Sequence, residues 1–164
     1  MMQSFWLFGS CHTILADRTT TGGQYDLIEV YFPPSSQTPP HRHTRYCEQL
    51  YVLEGEFTLW VGQNKVVLST GENFMIAVGT PHVVAAIGDQ PAHGLMIAAP
   101  SAFARLLEAT GTLSRTETPD MALFERICAE NRRRDFRSTR NLTLRCYKNV
   151  VNTLQTQRRN FQCR

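Results

Sequence analysis

Residues 41–62 read HRHTRYCEQLYVLEGEFTLWVG, and this stretch indicates the fold. It contains two runs rich in β-branched and aromatic residues, at 49–53 and 57–61, with a short glycine-containing segment between them. Two such runs around a three-residue turn are typical of a β-hairpin. The prolines at positions 33, 34, 39 and 40 precede it and force a loop, because proline lacks the amide hydrogen that strand pairing needs. We therefore expect a hairpin that is entered from a proline-rich loop.

The same short-strand pattern continues on both sides of this stretch. Strand-like runs cover about 24–32, 65–68 and 95–99, and glycines at 71, 79 and 88 separate further short strands. Closely spaced turns without helical patterns between them indicate a sandwich or barrel. Helical patterns follow only later, where Ser101 can cap a helix over 102–109 and Thr118 with Pro119 can begin another that reaches about residue 130. The expected fold is all-β with short C-terminal helices.

Length and charge describe one domain with a basic extension. A chain of 164 residues, 42% apolar and 19% charged, can bury a core without disulfide or zinc staples. Residues 1–130 carry seven bases against thirteen acids, and residues 131–164 carry ten bases against one acid. We predict a domain over 1–130 and a disordered basic tail over 131–164. The alternatives for the tail are a nucleic-acid or membrane-surface patch, which lacks supporting aromatic residues, or an origin outside the native coding sequence.

Targeting signals and paired cysteines are not evident. No apolar run approaches the roughly 18 residues that a membrane span needs. Residues 1–15 have no basic segment and no small-residue cleavage site, so a secretory signal is not predicted. The five cysteines form no CxxC pair and are odd in number, which favours free thiols. We expect a cytoplasmic protein.

Three histidines and one glutamate have a spacing that suits a metal ion. His41 and His43 are two residues apart, so on a strand both imidazoles point to the same side. Glu48 lies five residues further, and a break around 44–47 is needed for it to face them. His82 follows a glycine- and proline-containing turn and can reach the group from across the barrel. Each residue alone has a commoner role on a loop, on the surface or in the core, and only the combination indicates a site.

Other residues near this group receive other interpretations. His12 and His93 fit no ligand spacing, so both are interpreted as structural. Cys47 is next to Glu48 and is expected to face away from the site. Five apolar residues are expected on the same strand faces as the candidate ligands and are therefore candidate pocket residues: Leu50, Val52, Phe74, Ile76 and Val84. For each of them, a place in the barrel core is an equally good interpretation.

Two segments carry a resemblance to a known family. The segment His41-x-His43-x4-Glu48-x6-Gly55 resembles the first cupin motif. The segment from Gly71 to Gly79-Thr80-Pro81-His82 is similar to the second. Ser35, Ala77 and Ala86 depart from the usual motif residues, but none of them stands at a ligand position.

More narrowly, residues 6–130 resemble the small single-domain cupins described as quercetin 2,3-dioxygenase-like. The resemblance implies one double-stranded β-helix, a jelly-roll barrel. It also implies a metal site made of His41, His43, Glu48 and His82.

Such a site predicts a class of chemistry. Three imidazoles and one carboxylate leave two positions of an octahedral ion open, which suits divalent Fe, Mn, Ni, Co or Cu better than a closed tetrahedral zinc site. An enolisable or phenolic substrate can bind as its oxyanion, with Glu48 acting as ligand and as catalytic base. We therefore predict a metal-dependent dioxygenase that uses a small-molecule substrate and dioxygen.

Two alternative functions stay open. One is a non-oxidative isomerase or decarboxylase, which a second acid or base in the pocket would favour. The other is a non-catalytic cupin that binds a small molecule or metal. In each case we expect a homodimer with no membrane or nucleic-acid partner.

Overall fold

The computed structural model describes residues 3–124, 126 and 127. The predictions for the tail at 131–164 and for a helix end near residue 130 lie outside these residues. Among the described residues, no helix is both long enough and apolar enough to cross a membrane. Helix α1 (Arg18–Thr21) lies between the second and third strands, and α2 (Phe103–Thr110) follows the last strand. The strands are β1 (Gln3–Leu7), β2 (Ser10–Ala16), β3 (Asp26–Phe32), β4 (Ser36–Gln37), β5 (Cys47–Glu54), β6 (Glu56–Val61), β7 (Asn64–Ser69), β8 (Asn73–Ile76), β9 (His82–Ala86) and β10 (Ala92–Ala99).

The strands form two antiparallel sheets. The six-stranded sheet has the order β1-β2-β3-β10-β5-β8, and the four-stranded sheet has the order β4-β9-β6-β7. Strands distant in sequence are neighbours in both, as when β10 pairs with β3 on one side and β5 on the other. The two sheets enclose one core and form a jelly-roll barrel. The prediction of an all-β barrel with short C-terminal helical structure is confirmed.

Alternation along the strands fills the space between the sheets. In β3, Ile28, Val30 and Phe32 are fully buried, while the residues between them are half-buried or exposed. Phe57 and Leu59 of β6 pack in the same core. The rings of Phe32 and Phe57 meet edge to face, with centroids 5.3 Å apart. Burial of each such side chain stabilises the fold by about 1.5–3 kcal/mol. These packed side chains therefore contribute much of the stability of the barrel.

The predicted hairpin around residues 54–56 is wrong. β5 pairs with β10 and β8, whereas β6 pairs with β7 and β9, so the two strands belong to different sheets. Gly55 connects them with a φ of +75°, and Pro91 and Ala92 lie against it. The segment is a sharp corner that carries the chain from one sheet to the other. The hairpin is instead formed by β6 and β7, which join through Gly62 and Gln63.

Substitution of Gly55 tests how much this corner contributes. In Gly55→Ala, the new Cβ would overlap the carbonyl oxygen of Pro91 and lie 3.2 Å from Cα of Ala92. Gly62→Ala is the matched control, since Gly62 also has a positive φ, +60°, but nothing lies within 4 Å of its added Cβ. We expect the free energy of unfolding to fall by about 1 kcal/mol in the control and by ~3 kcal/mol in Gly55→Ala. Urea unfolding measures both values. Equal losses would show that the close approach to Pro91 costs nothing.

The first hairpin and helix α1 were not predicted. β1 and β2 pair through a turn at Phe8 and Gly9, whose φ values are +51° and +82°. A large aromatic residue is uncommon in that conformation, which normally favours Gly or Asn, and this hid the turn. Helix α1 is capped by Asp17, whose carboxylate accepts hydrogen bonds from the amides of Thr19 and Thr20.

The predicted helix caps are corrected by the structure. Helix α2 begins at Phe103, and its first turn is held by Asp26 of β3 rather than by Ser101. The Asp26 carboxylate accepts hydrogen bonds from the Ser101 hydroxyl and from the amides of Ala102 and Ala104, the latter two at 2.9 Å. The next helical residues are 121–124, where Asp120 and not Thr118 accepts from the Leu123 amide at 2.9 Å. The second helix therefore starts two residues later than predicted.

Candidate metal centre

His41 and His82 lie side by side because their backbones pair. The amide of His41 donates to the carbonyl of His82 at 3.1 Å, and the amide of His82 donates back at 2.8 Å. The loop then continues to His43, whose carbonyl accepts from the amide of Gly79 at 2.7 Å. Glu48 is the second residue of β5, in the other sheet. The loop over 44–46 interrupts the extended chain, which allows Glu48 to face the histidines as expected.

The four predicted ligand side chains come together. Ring nitrogens of His41, His43 and His82, one from each, all lie within 4.8 Å of one another. Their ring centroids are 4.2–5.0 Å apart. Oε2 of Glu48 lies 2.8 Å from Nε2 of His43 and 4.0 Å from Nε2 of His82. Three imidazoles and one carboxylate therefore converge at one end of the barrel.

Backbone carbonyls fix the orientation of two of these imidazoles. Nδ1 of His41 lies 2.8 Å from the carbonyl oxygen of Pro39, and Nδ1 of His82 lies 2.9 Å from that of Thr80. A carbonyl can only accept, so each Nδ1 carries the hydrogen and each neutral ring has a bare Nε2. This is the usual outer-shell arrangement of metal-binding histidines.

Buried polar atoms at the centre fit a cation. Within the described part of the chain, Nε2 of His82 and Oε1 of Glu48 are buried and have no hydrogen-bond partner, while the buried Nε2 of His43 lies 2.8 Å from Oε2 of Glu48. Buried polar atoms are rarely left in this state, because each costs about 1–3 kcal/mol. A divalent ion bound by imidazole nitrogens and carboxylate oxygens would satisfy both unpaired atoms, so the residues present fit a transition metal.

Burial and mutual proximity set the charge state of the group. Burial, together with the neighbouring imidazoles, lowers the pKa of His41 to about 4. Burial also lowers the pKa of His82. Burial raises the pKa of Glu48, but the surrounding imidazoles outweigh this effect, so that its pKa is lowered to about 2. Neutral imidazoles beside a carboxylate are the protonation states that metal binding requires.

A largely apolar cleft opens beside the four side chains. Its volume is about 450 Å³, including the open mouth. His41, His43 and Glu48 line it on one side. The remaining lining residues are Leu7, Phe8, His12, Phe32, Thr38, Val84, Met96, Phe103, Leu106 and Phe124.

The cleft contains only one of the five pocket residues predicted from the sequence. Only Val84 faces the cleft, while Leu50, Val52 and Ile76 are buried in the core and Phe74 packs against it. Strand parity correctly places these side chains on the inner face. It does not say how far along the barrel each one lies, and the cleft occupies only one end.

The outer wall of the cleft comes from elements that the sequence did not connect with the site. Phe8 belongs to the β1–β2 turn, and Phe103 and Leu106 belong to α2. Phe124 lies in the helical segment at 121–124, and its ring meets that of Phe8 edge to face with centroids 5.1 Å apart. The β1–β2 turn and the helical segments after β10 therefore complete the pocket.

The structure agrees with the predictions for Cys47 and His93 but changes the interpretation of His12. Cys47 faces away from Glu48, as predicted, and its thiol donates to the carbonyl of Ala99 at 3.3 Å. His93 contacts Glu29 at 2.9 Å and is one-third exposed, which agrees with a structural role. The interpretation of His12 as structural is incomplete, because His12 lines the cleft. A strand assignment for residues 10–16 would have put His12 on the same face as Ser10, and both are buried.

Fold and family comparison together define the class of protein. Residues 28–98 match the family model described as the cupin domain. This segment runs from β3 to β10 and includes all four side chains of the candidate centre. The match identifies residues 28–98 as a cupin domain.

Particular relatives are similar to this chain over part of their length. The quercetin 2,3-dioxygenase of Bacillus subtilis is 28% identical over 71 residues, which cover 43% of this chain and 21% of that protein. Germin-like protein subfamily 1 member 17 of Arabidopsis thaliana is 36% identical over 76 residues, which cover 40% of this chain and 34% of that protein. The chain thus spans about a fifth to a third of these curated relatives.

A solved structure supports the fold. The structure of KdgF from a Halomonas species superposes with a TM-score of 0.55 at 22% identity. The match covers 64% of this chain and 90% of that chain. At this level of identity the likeness concerns the barrel alone.

Proposed function

We propose that this protein is a metal-dependent dioxygenase that acts on a small, flat, enolisable or phenolic substrate. One divalent ion of Fe, Mn, Ni, Co or Cu is held by His41, His43, Glu48 and His82. The observation that carries the proposal is the convergence of three imidazoles and one carboxylate beside an apolar cleft, with Nε2 of His82 and Oε1 of Glu48 buried and unpaired. The partial similarity to quercetin 2,3-dioxygenase supports the oxidative class.

The chain's own residues supply binding and proton transfer. A bound ion of this kind lowers the pKa of a coordinated hydroxyl group and can exchange electrons with the substrate. The apolar wall, including Phe103 and Met96, excludes water and favours a flat substrate. Glu48 accepts the substrate's hydroxyl proton at Oε1 or Oε2. Pro39 and Thr80 hold His41 and His82 in their tautomers throughout.

A non-oxidative isomerase or decarboxylase is the second candidate. One observation favours it: His12 adds an imidazole to the cleft beside Glu48. Two groups able to move a proton are what an isomerisation needs, and such a reaction uses the ion only as a Lewis acid.

Metal content tests the ligand assignment. We expect about one transition-metal ion per chain in the wild type, and a loss of most of it in His41→Ala and in His82→Ala. The matched control is His93→Ala, which removes a histidine that contacts Glu29 outside the cleft. Elemental analysis measures the metal, and loss of the ion should also lower the thermal midpoint. Full occupancy in both ligand variants would contradict the assignment.

Oxygen consumption tests the reaction. The metal-loaded wild type is screened in an oxygen electrode with quercetin and with β-diketones. Uptake that requires substrate and metal together supports a dioxygenase. Substrate conversion without oxygen uptake would favour the isomerase or decarboxylase.

A further inference from the structure

We infer that His12 is a substrate-binding residue whose bare Nδ1 accepts a hydrogen bond from a hydroxyl or N–H group of the bound molecule. The inference rests on the proposed function, since it concerns what occupies the cleft beside the metal-binding residues. It adds a second polar anchor to a pocket whose other polar groups lie at the metal centre or on Thr38.

A short hydrogen-bond chain decides which nitrogen of His12 carries the hydrogen. The hydroxyl of Ser10 donates to the carbonyl oxygen of Leu7 at 2.9 Å. Oγ of Ser10 also lies 2.9 Å from Nε2 of His12. A hydroxyl has one hydrogen, and a carbonyl can only accept, so Oγ must accept from Nε2–H. The neutral ring therefore has an unprotonated Nδ1 with a free lone pair.

That lone pair has no partner in the described chain. His12 is only 3% exposed, and its Nδ1 is buried without a hydrogen bond to any described residue. Burial lowers the pKa of the ring to about 4, so it is neutral at pH 7 and Nδ1 is an acceptor. A buried acceptor left empty destabilises the protein, whereas a ligand with a suitable donor would satisfy it.

Aromatic neighbours hold the ring in place. The imidazole of His12 meets Phe103 edge to face at a centroid distance of 5.7 Å, and Phe32 at 6.4 Å. All three rings line the cleft. With Nε2 bound to Ser10 and its edges packed against these rings, His12 presents its Nδ1 in a fixed direction.

These observations narrow the substrate class. The apolar walls select a flat body, the metal centre selects an oxyanion-forming hydroxyl group, and His12 selects a second donor elsewhere on the same molecule. A site built to hydrogen-bond a donor rejects analogues that lack it, because its own buried acceptor is then left empty. We expect a preference of ~10- to 100-fold for ligands that carry the donor.

Nitrogen NMR of the ¹⁵N-labelled full chain, as purified, tests the tautomer. We expect His12 to show a protonated Nε2 and an unprotonated Nδ1, with His12→Leu identifying the signals. Ser10→Ala should remove this preference while the ring remains. An Nδ1–H tautomer in the wild type would overturn the inference.

Phenol and toluene then test the acceptor, since they have the same shape and only phenol carries a donor. Phenol should shift the Nδ1 resonance of His12, and toluene should not. The signals of His93, which contacts Glu29 instead of the cleft, are the internal control. No shift with phenol up to its solubility limit would overturn the inference.

Kinetics separate this inference from the proposed function. In His12→Asn, Oδ1 stands near the place of Nδ1, so KM should stay near the wild-type value. In His12→Leu, KM should rise ~10- to 100-fold with metal content unchanged. A wild-type KM in His12→Leu would overturn the role of His12 and leave the dioxygenase intact. The phenol shift without any oxygen uptake would retain His12 and remove the dioxygenase.

Discussion

Glu48→Gln should reduce turnover by about 10²- to 10⁴-fold while much of the metal stays bound. Glutamine keeps an oxygen of nearly the same position beside His43 but removes both the negative charge and the proton acceptor. Three imidazoles remain to hold the ion, so occupancy should fall less than the rate does. Oxygen uptake, divided by measured metal content, gives the comparison with the wild type.

The matched control for this substitution is Glu54→Gln. Glu54 ends the same strand, β5, but is exposed and does not line the cleft. It should leave both metal content and rate unchanged. Equal metal-normalised rates for Glu48→Gln and the wild type would show that Glu48 is an anchor for the ion and not a base.

Asp26→Ala should cost about 3–5 kcal/mol of the free energy of unfolding. Asp26 is fully buried and ties β3 to the start of α2 through Ser101, Ala102 and Ala104. Alanine leaves those donors without their acceptor, the amide of Ala104 in a buried position and the other two in half-buried ones. Because α2 carries Phe103 and Leu106 in the cleft wall, the pocket should loosen as well.

Asp17→Ala provides the comparison for Asp26. Asp17 also accepts hydrogen bonds from the first turn of a helix, α1, but it does so at the surface. Removal of an exposed cap typically costs ~1 kcal/mol. Urea unfolding of both variants measures the difference. A similar small loss for the two would show that burial of Asp26 adds nothing to its capping role.

The central strands and the four clustered side chains could be predicted because their signals are local. The alternation in β3 and the spacing of His41 and His43 depend on residues two apart, which a strand places on one side. The turn before His82 predicted that it would join them from across the barrel, whereas its backbone in fact pairs directly with that of His41. The assignment of these side chains as metal ligands stays a prediction that metal analysis must test.

Features that depend on distant parts of the chain could not be predicted. A glycine-containing turn at 54–56 suits both a hairpin and a corner between sheets, and only the pairing of β5 with β10 distinguishes them. The cap of α2 comes from Asp26, about 75 residues earlier, so no local pattern near Ser101 reveals it. The role of His12 depends likewise on a cleft whose walls come from both ends of the described chain.

The contact between Phe8 and Phe124 has an evolutionary consequence. Both rings lie outside residues 28–98, the segment that matches the family, whereas His41, His43, Glu48 and His82 all lie inside it. The candidate metal centre thus lies wholly within the family segment, whereas the outer wall of the cleft comes from segments on either side of it. Substitutions in the flanking segments can therefore change the shape of the cleft mouth while the four clustered side chains stay unchanged.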